Sequence, residues 1–116
     1  MREAVGTAVF SSLFQRLQPL NGKYIGECVT LVKRYLNLPP LGNAADYPVN
    51  LDFPVLDSVV VLKEGRQGHV ALVVGIVGDS IVLAESNRSY DGRILVGRTI
   101  PMDDKRIKGY YVPWLV

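Results

Sequence analysis

Residues 28–36 place apolar side chains at Cys28, Leu31, Val32, Tyr35 and Leu36, with Lys33 and Arg34 turned away from them. That i, i+3, i+4, i+7, i+8 spacing is one face of a helix, and it predicts a helix over about residues 27–37. Leu38-Pro39-Pro40 stops it, because proline cannot continue the backbone ladder and biases the preceding residue away from the α region. A looser amphipathic pattern predicts a first helix over residues 3–17, ended by Gln18-Pro19, with "LNGKYIG" as the connecting loop. From residue 57 the period shortens and β-branched residues take over. "DSVVVLK", "GHVALVVGIV", "SIVLAESN", "RILVGRTI" and "IKGYYVP" read as five strands. The turn signals between them, Gly65, Gly78-Asp79 and Tyr90-Asp91-Gly92, are spaced for antiparallel neighbours. Residues 39–54 hold four of the seven prolines and read as an irregular connection with one turn around "GNAADYP". Helices first and strands afterwards predict an α+β fold, its N-terminal helices packed on a five- to six-stranded antiparallel sheet. The expected division is a helical part at 1–38, a connection at 39–56 and a sheet at 57–116, all within one domain of 116 residues.

Composition narrows the function classes. Hydrophobic residues at 48% against 21% charged describe a folded chain. The longest apolar run, "VALVVGIV", is too short to span a bilayer, which needs about 20 residues. The start "MREAVGTAVFSSLF" lacks the basic region, clean apolar stretch and small-x-small site of a signal peptide. The net charge of +2 is spread evenly along the chain, with no basic stripe, so nucleic-acid binding is not suggested. A single cysteine allows no internal disulfide, and one histidine allows no Cys/His metal cluster. Neither a metal nor another cofactor is expected.

The chemistry rests on few residues. A thiol attacks as the thiolate, which a helix N-terminus and a neighbouring imidazolium both favour. Cys28 begins the second helix, and His69 is the one imidazole that could serve it. A lone cysteine is otherwise a small buried hydrophobe, and a lone histidine a satisfied core or surface side chain. His69 opens a strand, and period two puts Ala71, Val73 and Gly75 on its side. A helix approaching that small-residue side would bring Cys28 within reach. "LAESN" then offers Glu85 or Asn87 to orient the ring, unless both belong to a solvated strand end. In an antiparallel hairpin the residue numbers of opposed pairs have a constant sum. A two-residue loop at Gly78-Asp79 sends Glu85 to the wrong face. A three-residue loop makes the sum even and sets Asn87 opposite His69, with Glu85 on the diagonal.

"GECVTLVKRYL", "GNAADYP", "GHVALVVGI", "LAESN" and "IKGYYVP", in this order over about residues 20–113, resemble the successive signatures of CHAP domains. These are papain-like cysteine, histidine-dependent amidohydrolases/peptidases. The resemblance implies a papain-like fold and hydrolysis of amide bonds, most often in peptidoglycan. Carried over by position, Cys28 is the nucleophile, His69 the general base and acid, and Glu85 and Asn87 the segment that orients the histidine. The backbone N–H of Cys28 would meet the oxyanion, with Tyr24 a candidate for the second donor. Many members have glutamine before the cysteine, where this chain has Glu27. A carboxylate there cannot donate to an oxyanion, and its charge opposes the thiolate; turned outward, it complements the helix dipole.

The resulting expectation is a monomeric peptidoglycan amidase or endopeptidase of phage or bacterial origin, acting at the cell wall or periplasm. Lysis, injection or secretion machinery, or a separate targeting partner, would deliver it. Two alternatives stay open at this point. One is a non-catalytic structural or binding module of a phage tail or secretion apparatus. The other is an intracellular amidase acting on a small peptide conjugate.

Overall fold

In the computed structural model, which describes residues 8–115, two helices pack on a six-stranded, mostly antiparallel sheet. The elements are β1 (Ala8–Phe10), α1 (Ser12–Leu17), α2 (Cys28–Leu36), β2 (Val59–Leu62), β3 (His69–Val77), β4 (Ser80–Ser86), β5 (Ile94–Pro101) and β6 (Ile107–Tyr111). Single 3-10 turns follow α1 at Gln18–Leu20 and lie in the proline-rich connection at Ala44–Asp46. The strand order is β5-β4-β3-β2-β6. β1 pairs antiparallel with Gly75–Val77 of β3, on the edge that β2 leaves free.

The N-terminus corrects the expected helix over 3–17. Residues 3–7 lie outside the described residues, residues 8–10 form β1, and the helix begins only at Ser12. Ala8 to Phe10 reads equally well as a helical face or an alternating strand, and pairing with β3 decides for the strand. Ser11 then caps α1, its hydroxyl accepting from the Leu13 N–H at 3.0 Å. α2 ends on Asn37, which takes up the left-handed conformation (φ 55°) that closes a helix before Pro39-Pro40.

Both faces of β3 are buried. On one face Val59, Val61, Val70, Leu72, Val74, Val82 and Ala84 meet Leu13, Leu17, Leu31 and Val32 of the helices. The other face is a second core built from the strands themselves: Val60, Leu62, Ala71, Val73, Ile81, Leu83, Ile100 and Tyr110. The sheet curls over this concave face, so that Arg98 of β5 reaches Glu64 beyond β2, and the edge strands β5 and β6 both supply the second core, through Ile100 and Tyr110. The helices therefore lie on the face opposite His69, and not on the small-residue side where the sequence pattern would have them. α2 instead meets the end of the sheet with its first turn.

Two bulges decide what reaches that end. The β3–β4 loop has two residues and pairs Val77 with Ser80, an odd sum that sends Glu85 away from His69. An extra residue at Val74 then shifts the register, so that Val73 pairs with Leu83 and Leu72 with Ala84. The even sum is reached through this bulge, not through a three-residue loop. Gly75 consequently crosses to the helix face beside Val82 and Phe10, while Ile76 packs on the concave face. The second bulge, at Gly97, separates the pairs Leu83–Arg98 and Ala84–Val96. Its φ of +117° lies where glycine is strongly favoured, and it places Arg98 on the same face as Leu83 and Glu85.

Candidate active site

Cys28 is the first residue of α2, half-buried, with Val29, Leu31 and Val32 of the following turn seated in the core. The helix start is tied to the sheet: the Glu27 carbonyl accepts from the Thr30 N–H at 3.0 Å and from the Ser86 hydroxyl at 2.8 Å. Ser86 is fully buried at the end of β4, so one hydrogen bond sets the height of Cys28 over the strand that carries Glu85.

His69 starts β3 directly after Gly68. Gly68 has φ +77°, and a Cβ there would stand 2.9 Å from the Ala45 nitrogen, which itself donates to the Gln67 carbonyl at 2.9 Å. Glycine thus lets the "GNAADYP" turn close over the start of the histidine strand. Buried Tyr47 from the same turn packs edge-on against Tyr111, with ring centroids 6.4 Å apart.

The ring is held from behind. His69 Nε2 lies 2.8 Å from Oε1 of Glu85, whose side chain has no exposure to solvent. With Nε2 engaged, Nδ1 is the nitrogen left for the thiol. Burial works to lower the imidazole's proton affinity, but hydrogen bonds with Cys28 and Glu85 and the negative charge of both raise it, to a pKa of about 9. Burial likewise works to raise Glu85, yet hydrogen bonds from His69 and Arg98 hold it below the ordinary carboxylate value. Imidazolium and carboxylate are therefore the favoured pair near neutral pH.

Cys28 and His69 open on one cleft of about 700 Å³. The connection wall contributes Gly42, Asn43 and Ala44, the β2–β3 loop Glu64 to Gly68, and the β4–β5 loop Asn87, Arg88 and Tyr90. Lys33 from α2 also lines it.

Of the other residues singled out by the sequence, Asn87 does not bond the imidazole. In the left-handed conformation (φ 61°), it accepts from the Gly92 N–H at 2.8 Å and so builds the 87–92 turn beside the cleft. Glu85, not Asn87, takes the histidine. Tyr24 is 74% exposed and lies against Gly92, lining a smaller neighbouring groove and not the main cleft, which removes it as the second oxyanion donor. Glu27 is exposed at the N-cap of α2, makes no side-chain cap, and borders both hollows. Its charge adds to the favourable end of the helix dipole.

Sequence reasoning missed Ser86, Arg98 and Glu64. Ser86 adjoins a residue already singled out, but its partner is a backbone carbonyl 59 positions away. Arg98 and Glu64 come together only because the sheet curls. Among the described residues no group of three or more His, Cys, Asp or Glu is placed to hold a metal ion, and no helix is long and apolar enough to cross a membrane. No protein-family model, curated protein or solved structure matches the chain.

Proposed function

We propose that the chain is a cysteine-dependent hydrolase of amide bonds whose substrate class is the peptide portion of peptidoglycan, as in the CHAP domains it resembles. The observation that carries this reading is a single one. The only cysteine, at a helix N-terminus, shares an open cleft with the only histidine, whose far nitrogen is fixed by a buried carboxylate. Helix dipole and imidazolium both favour the thiolate, and Glu85 supports the imidazolium. Lys33, Arg66 and Arg88 around the cleft suit a substrate rich in carboxylates, which peptidoglycan stem peptides are.

In the first half-reaction the Cys28 thiolate adds to the amide carbonyl carbon, and the carbonyl oxygen takes the negative charge. The backbone N–H of Cys28, at the start of α2, is positioned as one donor to that oxygen. Collapse breaks the C–N bond as imidazolium His69 gives its proton to the leaving amine, and a thioester remains on Cys28. Water then attacks the thioester carbonyl while His69 takes a proton from it. The C–S bond breaks, the acid departs, and the thiolate–imidazolium pair is restored.

Digestion of purified peptidoglycan, followed by mass spectrometry of the soluble fragments, tests the reading. New amino groups should appear with the wild-type chain and be absent with Cys28→Ala. Equal release by Cys28→Ala overturns the mechanism. No release from peptidoglycan together with turnover of soluble amide substrates overturns the substrate class. No turnover of either favours a binding module that keeps the fold, with Glu27 at the cleft as its mark.

A further inference from the structure

Behind Glu85 the site continues into a line of charges that the steps above do not use. Arg98 on β5 donates from Nε to Oε2 of Glu85 at 2.9 Å and from Nη2 to Oε1 at 2.8 Å. The same guanidinium donates to Glu64 from Nη1 at 3.1 Å and from Nη2 at 2.9 Å. Glu64 also accepts from Arg106 Nη1 at 2.7 Å, and Arg106 is forked onto Asp104. Arg88, on the cleft wall, stands 3.7 Å from Glu64. The groups around Glu85 are thus His69 from β3 and Arg98 from β5, with Glu64, Arg88, Arg106 and Asp104 beyond the guanidinium and Cys28 beyond the imidazole.

We propose that Arg98 is a positioning residue of the site: its guanidinium, forked onto Glu85 on one side and Glu64 on the other, fixes the carboxylate that orients His69 and keeps it charged. A carboxylate without solvent exposure either finds fixed donors or gives up its charge. The planar fork satisfies both Glu85 oxygens at once, so the carboxylate cannot rotate away from the ring. Glu64 holds the other edge of the same guanidinium, which stops Arg98 from swinging out to water. The bulge at Gly97 serves this arrangement directly, since without it Arg98 would share a face with Val82 and not with Glu85.

The inference rests on the reading of Cys28, His69 and Glu85 as one reacting unit, but its test needs no substrate. The chain has one histidine, so imidazole NMR signals report His69 alone. They would be followed against pH in the wild type, Arg98→Met, Arg98→Lys and Arg98→Gln. Removing a cation favours every protonated form. In Arg98→Met both the proton loss of His69 and the acid-side event at Glu85 should therefore move to higher pH, the latter by about 1–3 pH units. Arg98→Lys should recover most of the wild-type curve. An Arg98→Met protein that is less heat-stable yet titrates as wild type would make Arg98 a mere stitch between strands and overturn the proposal. Should Arg98→Met not fold, Arg98→Gln takes its place: it removes the charge and keeps a hydrogen-bonding amide, and a curve that coincides with the wild type overturns the proposal. If the wild type cleaves nothing while these displacements are seen, the hydrolase reading fails and the positioning role stands.

Discussion

The contacts of His69 with Cys28 and Glu85 should make the stability of this protein fall between pH 6.5 and 9, against the usual flatness of that range. His69 has an ordinary pKa of 6.5 in the unfolded chain and about 9 in the folded one. The folded state holds the proton more tightly, so the contribution is complete below 6.5 and is lost as the pH rises through 9. A difference of about 2.5, at about 1.36 kcal/mol each, gives about 3 kcal/mol. That is a sizeable part of the roughly 5–15 kcal/mol of a typical domain. With a urea dependence of about 1–3 kcal/mol per molar, the unfolding midpoint should drop by about 1–3 M over this range. The assay is urea unfolding followed by circular dichroism at half-unit pH steps, in the wild type and in Glu85→Gln. The decline should shrink in Glu85→Gln, whose neutral amide no longer favours the imidazolium. A midpoint that stays level or rises from pH 6.5 to 9, or the same decline in both proteins, would refute the pairing as the source.

Four substitutions separate the roles of residues around the site. Glu85→Gln should cut amide turnover by about 10²-fold or more, because the imidazolium loses its counter-charge. Asn87→Gly keeps the left-handed backbone and removes only the bond to Gly92, so initial-rate kinetics should show a loss within about tenfold, the equivalent of one ordinary hydrogen bond. Ser86→Ala frees the Glu27 carbonyl from the sheet; differential scanning calorimetry should show a loss of about 1 kcal/mol, and alkylation of Cys28 should slow as the helix start drifts. Gly68→Ala meets both an unfavourable φ and the Ala45 backbone, and denaturant titration should register a loss of about 1–3 kcal/mol.

The pattern of apolar positions was enough for α2, for β2 to β6 and for the α+β class, because each of these segments has one period and clear stops. It failed at residues 8–10, where three residues are too few to distinguish periods and a partner strand 65 or more positions away decides. It also put the helices on the wrong face, since both faces of β3 are apolar and a curled sheet fills its own concave side. Cys28, His69 and Glu85 were legible as residue types at element ends. The choice of Glu85 over Asn87 was not, because it depends on a bulge at Val74 that no local residue announces. Arg98 looks in sequence like an ordinary solvent-facing position of an edge strand. Only the Gly97 bulge and the closure of β5 on the β2–β3 loop turn it inward.

The central claim is that the Cys28 sulfur is activated by His69, and alkylation by iodoacetamide measures that activation directly. At pH 7 the wild type should react rapidly, and His69→Ala should react at least about tenfold more slowly. Equal rates in the two proteins would contradict the account.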